Sequence, residues 1–534
     1  MALGKQLKKN PRDVAKSIVD GLDVQGICDG VEIAGPGFIN LRLDPLFLQG
    51  QLAGLAADAN LGVVAADPSH TVVVDYSSPN MAKEMHVGHL RSSCIGDAIV
   101  RVLKSAGHRV IRQNHLGDWG TQFGMLLEHL IDLGWDRDGD HSIQDLDELY
   151  RASKKRFDAD PDFADKARQR VVQLQAGDEQ SLALWRLMID ESVRHMNAIY
   201  ERLGLTMTDA DIRPESFYNE CLADVIEDLD GIGLLEDSVG AKVVFCEGFA
   251  DPDGNPLPMI VRKSDGGYLY ATTDLAAARF RIDKLGADRI VYVTDPRQSQ
   301  HFAMLFQVLR RSGWAADTVR LEHVPFGTIL GGDRKPFKTR EGGTVRLTAV
   351  LDEAEQRAGR MLDAKNPDLP EADRHRIARR VGVGAMKYAD LANDRIKDYV
   401  FDWDRMLAME GNTAPYLQNA YVRIESIFRK GGVQRGAEPA GPMSLEEPAE
   451  RALGVKLLQY PSVVVSVAEH LYPHRLCTYA YEVATAFHQF YEQCPVLTAA
   501  DEATRDGRLR LCDLTARILE AALDLLGIDV VEQM

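Results

Sequence analysis

The stretch Asp75-Tyr-Ser-Ser-Pro-Asn-Met-Ala-Lys-Glu-Met-His-Val-Gly-His-Leu-Arg91 joins an apolar strand, Thr71 to Tyr76, to a helix from about Gly88 to Ala106. A strand feeding a helix through a short polar turn is the opening unit of a parallel α/β sheet. Helix starts carry unpaired N–H groups and the positive end of a dipole, so a nucleotide's phosphates would sit here. Lys83, His86 and His89 recur three residues apart. A helical turn would project all three to one place, and Gly88 would leave room for a planar base against the backbone. Two imidazoles and an ammonium suit a reaction in which negative charge grows on a transferred group, because fixed donors stabilise it without reorganising. The stretch therefore predicts phosphoryl or nucleotidyl chemistry. A metal pair lacks a third ligand and the H-E-x-x-H spacing, so no metal-ligating residue is expected. Two ordinary surface histidines are the other alternative.

Working outward, strands alternate with helices from His70 to about Leu347: Val110 to Gln113, then Arg289 to Thr294 followed by a helix from about Gln300. This rhythm predicts a doubly covered parallel sheet with ligands at the carboxyl ends of its strands. Polar helical text from about 137 to 240 reads as an insertion. After about Thr348 no strand is expected. Leu476, Tyr479, Ala480, Val483, Ala484, Phe487, Phe490 and Tyr491 form an apolar stripe of helical period, repeated by Leu511, Leu514, Ile518 and Leu525 before the stop residue Gly527. The end of the chain is thus a helical bundle, with a Gly- and Pro-rich loop at Gly431 to Pro448. The start, a short helix (Pro11 to Leu22) and strands around Gly35-Pro36-Gly37, is too small to stand alone. The expected division is 1–66, a small α+β region; 67–348, the α/β domain with its insertion; 349–405, a helical connection; and 406–534, the bundle.

With 534 residues, 45% of them hydrophobic and 27% charged, the chain is neither disordered nor fibrous. Apolar runs such as Val72 to Val74 and Val463 to Val465 are far shorter than a membrane span, and no secretory signal follows the basic start, so a cytoplasmic protein is expected. Seven cysteines without a C-x-x-C pair read as reduced thiols. The net charge of −18 argues against non-specific attraction to nucleic acid, although a local basic face suffices for binding. No G-x-x-x-x-G-K-[ST] occurs, because the single Gly-Lys pair is Gly4-Lys5, outside the sheet; this excludes a P-loop ATPase.

His86-Val-Gly-His89 after a first strand resembles the HIGH motif of class I aminoacyl-tRNA synthetases. The longer run Ser78 to Ser92 resembles the arginyl-tRNA synthetase family in particular. So do Gly117-Asp-Trp-Gly-Thr-Gln-Phe-Gly124, Phe337-Lys-Thr-Arg-Glu-Gly-Gly-Thr-Val-Arg-Leu347 and Gly411-Asn-Thr-Ala-Pro-Tyr-Leu-Gln418. The resemblance implies a Rossmann-like catalytic domain with a helical insertion and an all-α anticodon-binding bundle. It implies ATP-dependent ligation of L-arginine to tRNA(Arg) through arginyl-adenylate, with release of AMP and diphosphate, ATP carrying its Mg²⁺. It also implies attack by the 2′-OH and a need for bound tRNA in the first step. A monomer that binds no membrane is expected.

By the same resemblance the motif comprises Pro79, Asn80, Met81, Ala82, Lys83, Glu84, Met85, His86, Val87, Gly88 and His89. Lys338, Thr339 and Arg340 stand where the family's KMSKS loop closes on ATP. Thr339 replaces the second lysine of that pattern, and Lys83 takes over its role. Lys83, His86, His89 and Lys338 are the expected catalytic residues; His86, Gly88, His89, Lys338, Thr339 and Arg340 are expected at ATP. A guanidinium needs a carboxylate, which it meets with two parallel hydrogen bonds. Tyr270 and Asp274, in Gly267 to Ala276, match the family's Y-x-x-x-D element, with Thr272 or Thr273 as the expected helix cap. Asp75, Asn80 and Gln298 match other arginine-binding positions, Asn80 for the amino acid's backbone ends. In the bundle, Tyr416, Tyr421, Arg423 and Arg475 are candidates for tRNA contact.

The N-terminal portion departs from the family, entering midway a domain that touches the corner of the tRNA, as if its opening were missing. Two rival readings remain: another H-x-G-H nucleotidyltransferase, and a catalytically inactive tRNA-binding paralogue.

Overall fold

A computed structural model describes residues 2–135, 146–337, 345–436 and 441–534. The chain opens with helices Ala2–Leu7 and Pro11–Asp20 and an antiparallel hairpin of β1 (Cys28–Ala34) and β2 (Phe38–Leu43). Asn10 caps the second helix by accepting from the Arg12 N–H, and Pro11 sits where no donor is needed. The next helix, Pro45–Ala57, buries Leu48, Leu52 and Leu55. It packs on the far end of the chain: Gln49 donates to the Met443 carbonyl, and a Cβ on Gly454 would lie 2.9 Å from Leu52.

β3 (Thr71–Asp75) and β4 (Arg109–Gln113) begin the main sheet. β5 (Glu236–Ser238), β6 (Ala241–Ala250) and β7 (Pro256–Arg262) form a separate antiparallel sheet. β8 (Arg289–Tyr292) and β9 (Arg320–His323) then complete a four-stranded parallel sheet in the order β4-β3-β8-β9. The valines of β3 are buried on both faces, as the continuous apolar run predicts. Val72 and Val74 join the large core with helix Val87–Ser105. Val73 points the other way, into a second core with helices Tyr270–Asp283 and Ser299–Arg311. The connection from β3 runs to one side and β8 lies on the other, so a crevice opens beyond the ends of β3 and β8.

Between β4 and β5 come helices Thr121–Asp132, Leu146–Ala159, Pro161–Gln175, Glu179–Leu203 and Leu222–Gly231. The expected insertion limit near 240 falls inside the β5-β6-β7 sheet, which the sequence reading missed. A further correction concerns the expectation of no strand beyond Thr348. β10 (Ile329–Leu330) pairs in parallel with β11 (Tyr399–Val400), bracketing helices Leu347–Lys365 and Glu371–Leu391. Two residues carry no readable period.

The bundle comprises helices Ala414–Gly431, Pro448–Leu457, Tyr460–His470, His474–Gln493 and Glu502–Leu525. Its expected stripe is buried from Leu476 to Phe490, while Tyr491 at its edge is 39% exposed. None of the seven cysteines is in a disulfide. Among the described residues no helix is long and apolar enough to cross a membrane.

Candidate active site

Immediately after β3 the chain reverses through Ser77 and Ser78, whose φ angles of +66° and +44° lie in the left-handed region. Such conformations cost about 1–3 kcal/mol each for residues with a side chain, so surrounding bonds must hold them. Ser77 N–H donates to Ser92 Oγ (2.9 Å), and Ser78 N–H donates to Asn114 Oδ1 (2.9 Å). The reversal lays Asn80 beside Gly117, where Met81 N–H donates to the Gly117 carbonyl. Asn80 Oδ1 accepts from the Ala82 N–H in a local turn.

Residues 81 to 86 are turn and extended rather than helical, which corrects the expectation of one helical turn. His86 is instead the cap of helix Val87–Ser105. Its Nδ1 accepts from the Gly88 N–H (3.0 Å), and His89 Nδ1 accepts from the His86 N–H (3.0 Å). The two rings lie 4.0 Å apart, centroid to centroid. With Nδ1 accepting on each ring, the neutral tautomer places a proton on Nε2 of both, assigned from these hydrogen bonds. Burial, together with the charges of His86 and Lys83, lowers the His89 pKa to about 3, so His89 is neutral at physiological pH. Lys83 Nζ sits 4.4 Å from the centre of the Tyr150 ring, on an insertion helix.

Lys338, Thr339 and Arg340 lie outside the described residues; the flanks of their loop are fixed. Phe337 N–H donates to the Ile329 carbonyl and its ring stacks on Phe401. On the far side, Val87 N–H donates to Val345 and Leu347 N–H to Met85, while Arg346 pairs with Glu84. Residues 345 to 347 are therefore tied to the histidine motif.

Across the crevice, Tyr270 opens helix Tyr270–Asp283 and is 62% exposed. Leu269, not Thr272 or Thr273, is the cap position; both threonines are buried inside the first turn, where Thr272 Oγ1 donates to the Val261 carbonyl. Asp274 Oδ2 meets His301 Nε2 at 2.6 Å, and its Oδ1 lies 3.6 Å from His115 Nε2. Burial works to raise the Asp274 pKa, but the His301 hydrogen bond and the charges of His301, His115 and Arg281 outweigh it and hold the carboxyl below its ordinary value. Asp75 is not a free carboxylate: Arg281 Nη2 donates to it at 2.6 Å and Ser78 Oγ at 2.8 Å. Gln298 is exposed after the β8 turn.

One residue was missed. Glu215 is driven to a pKa of about 8 by burial and by the charges of Asp118 and Asp274. A rim with Asp274 ionised and Glu215 poised near neutrality is an anionic pocket that a guanidinium would complete. The segment Arg213-Pro-Glu-Ser216 carries no periodic signal; only the burial of a carboxylate beside two others marks it.

Comparison with known proteins decides the family. Residues 51–403 match the class I tRNA synthetase (R) catalytic domain, residues 417–534 the DALR anticodon binding domain, and residues 1–43 the arginyl tRNA synthetase N terminal domain. A curated arginine–tRNA ligase of Cellvibrio japonicus is 52% identical over all of this chain and 92% of its own length, and one of Laribacter hongkongensis is 51% identical at the same coverage. The chain belongs to the arginyl-tRNA synthetase family. Its reaction is ATP-dependent ligation of arginine to tRNA. Among solved structures, the arginyl-tRNA synthetase of Plasmodium falciparum superposes with a TM-score of 0.84 at 30% identity, covering 99% of this chain and 90% of that one. The Thermus thermophilus arginyl-tRNA synthetase gives 0.82 at 26% identity, covering 100% and 93%. The rival readings, another H-x-G-H enzyme or an inactive paralogue, are not favoured by these likenesses.

For this synthetase, the bundle candidates separate. Tyr421 is buried, its hydroxyl engaged with Arg435 and Glu520. Tyr416 packs on Tyr481 and His488, and Arg475 donates to Ser466 Oγ. Arg423, which also meets His488 Nδ1 at 3.1 Å, lines a cavity of about 650 Å³ with Arg429, Lys430 and Tyr491.

Proposed function

We propose that arginine activation takes place in the crevice beyond β3 and β8, with residues in the following roles. The guanidinium enters between Asp274 and Glu215 under Tyr270. Asn80 and Gln298 take the amino acid's backbone ends, and Asp75 acts through Arg281 and Ser78 to hold the strand end. A carboxylate oxygen of arginine then attacks the α-phosphorus of ATP, and the bond to the bridging oxygen breaks as pyrophosphate leaves. His86 and His89 donate from Nε2 to the phosphate oxygens as charge develops, and Gly88 leaves space for the base. Lys83 swings from Tyr150 to the phosphates, and Lys338, Thr339 and Arg340 hold the pyrophosphate side. In the second step a ribose hydroxyl of the terminal adenosine attacks the arginyl carbonyl and AMP departs.

Among the described residues no group of three His, Cys, Asp or Glu side chains is placed to hold a metal. The nitrogen donors at the histidine motif suit phosphate rather than Mg²⁺, which favours hard oxygen ligands. Mg²⁺ would therefore travel on the nucleotide's own oxygens and neutralise their charge. The cavity with Arg423, Arg429, Lys430 and Tyr491 supports contact with the anticodon arm: Arg423 lies 5.1 Å from the Tyr491 ring centre, a pairing that can stack on a base. Transfer RNA is a cytoplasmic substrate, which supports a cytoplasmic enzyme.

The observation that carries this reading is the pair of imidazoles whose Nδ1 atoms both accept at one helix start, which makes Nε2 the nitrogen that carries the ring proton. ATP–pyrophosphate exchange with each of the twenty amino acids, with tRNA present, tests it. Arginine alone should support exchange; exchange with another amino acid, or with none, would defeat it.

A further inference from the structure

The strained residues that launch the signature loop are tied to a side chain outside the motif. Tyr200 belongs to the insertion helix Glu179–Leu203 and is 2% exposed. Its hydroxyl donates to Ser77 Oγ at 2.6 Å and accepts from Asn114 Nδ2 at 3.0 Å. Asn114, fully buried, is the group whose Oδ1 receives the Ser78 N–H. One phenol thus holds Ser77 directly and Ser78 through a single amide. Ser93 Oγ, in the signature helix, closes the network on Ser77 at 2.9 Å. The other ties of this helix reach different parts: Ser192 Oγ meets the Met81 carbonyl, and Trp185 donates to the Asp118 carbonyl. Among the described residues of this helix, it is Tyr200 that bonds directly to the residues whose left-handed backbone sets the direction of the chain toward Asn80, Lys83 and His86.

A backbone held in a costly conformation relaxes once its restraints go. Relaxation of Ser77 and Ser78 would swing the whole loop, and misplacement by an ångström at a reacting centre lowers a rate severely while leaving ground-state binding largely intact. Replacing the phenol by phenyl keeps the ring in its apolar seat among Met196 and Leu203, and removes only the polar tie.

We propose that Tyr200 is a positioning residue for arginine activation, its hydroxyl holding the Ser77–Ser78 reversal so that the histidine motif meets the α-phosphate. The inference rests on the assignment of His86 to the phosphate. The test is ATP–pyrophosphate exchange with tRNA on the full chain. Tyr200→Phe should lower kcat at least about tenfold, with KM for ATP and for arginine within about twofold of the parent. Because glycine adopts a φ near +66° without penalty, adding Ser77→Gly to Tyr200→Phe should recover part of the lost rate. An unchanged kcat in a folded Tyr200→Phe, a loss expressed in KM for arginine, or no recovery in the double variant would overturn the proposal. Should Tyr200→Phe not fold, Asn114→Ser, which removes the amide link to Ser78 and leaves the ring, must show the same kcat-only loss or the proposal fails. His86→Ala is the control. If it leaves the rate intact, the site assignment is at fault; if it slows exchange while Tyr200→Phe does not, only the positioning role is lost.

Discussion

His301 Nε2 reaches Asp274 Oδ2 at 2.6 Å, and on the opposite oxygen His115 stands 3.6 Å away, so one carboxylate is held between two imidazoles at the rim of the sheet. Neither imidazole can match the fork of a guanidinium; His301 hydrogen-bonds one oxygen and orients the carboxylate, while His115 stands near the other without bonding it. Asp274→Ala should therefore raise KM for arginine on the order of 100-fold while KM for ATP changes little. Equal effects on both, in steady-state exchange kinetics, would place the arginine pocket elsewhere.

Glu215 gives that pocket a pH dependence. With its pKa at about 8, the side chain is largely protonated at neutral pH and ionises when a cation arrives, releasing a proton. KM for arginine should fall as the pH rises toward about 8 and then level off. In Glu215→Gln the KM should be higher and this dependence absent. A parent enzyme whose KM is flat across that range would contradict the burial of this carboxylate.

His89 makes a separate prediction for stability. Its pKa is about 3 in the folded chain against 6.5 for an unperturbed imidazole, so between these values the unfolded chain binds more protons. Stability then rises with pH: the contribution is complete above about 6.5 and is lost as the pH falls toward 3. Urea midpoints measured between about pH 4 and 7 should show a shallower slope for His89→Gln than for the parent.

His86→Ala removes one donor from the phosphates and one cap from the helix. The kcat of exchange should drop at least about tenfold, up to about 1000-fold, with tRNA affinity unchanged. A parallel loss of tRNA binding in filter or anisotropy assays would mean that the helix start serves the tRNA and not the nucleotide.

Gly96 tests packing behind the site. A Cβ there would fall 2.3 Å from Tyr76 Cβ and Cγ, where helix Val87–Ser105 crosses the end of β3. Gly96→Ala should destabilise the chain by about 1–3 kcal/mol, seen as a lower urea midpoint, and reduce activity by displacing the residue beside Ser77.

The sheet and its first helix were legible because Val72 to Val74 can only be a strand buried on both faces, and because two histidines framing a glycine mark a helix start. What escaped reading was nonlocal. Asp75 looked available, yet its partner Arg281 comes from 206 residues away. Glu215 has no pattern of its own and acquires significance only where folding brings Asp118 and Asp274 beside it. β5 to β7 form a small sheet of mixed polarity broken by glycine turns at Gly240 and Gly254, and β11 is two residues long. The spacing of Lys83, His86 and His89 brings all three to one place only if their turn is helical; residues 81 to 86 are not, and the cap geometry brings the two rings together by a different route.

The pairing of β10 with β11 has an engineering consequence. Strands 70 residues apart in sequence are zipped side by side, Ile329 against Tyr399 and Leu330 against Val400, so the module of helices between them begins and ends at one seam, while Lys387 and Tyr388 also tie it to Leu203 and Cys477. A gene split within that module would leave each half with one side of the zipper, making it a natural cut point for a two-piece reporter whose light-off and light-on states follow reassembly.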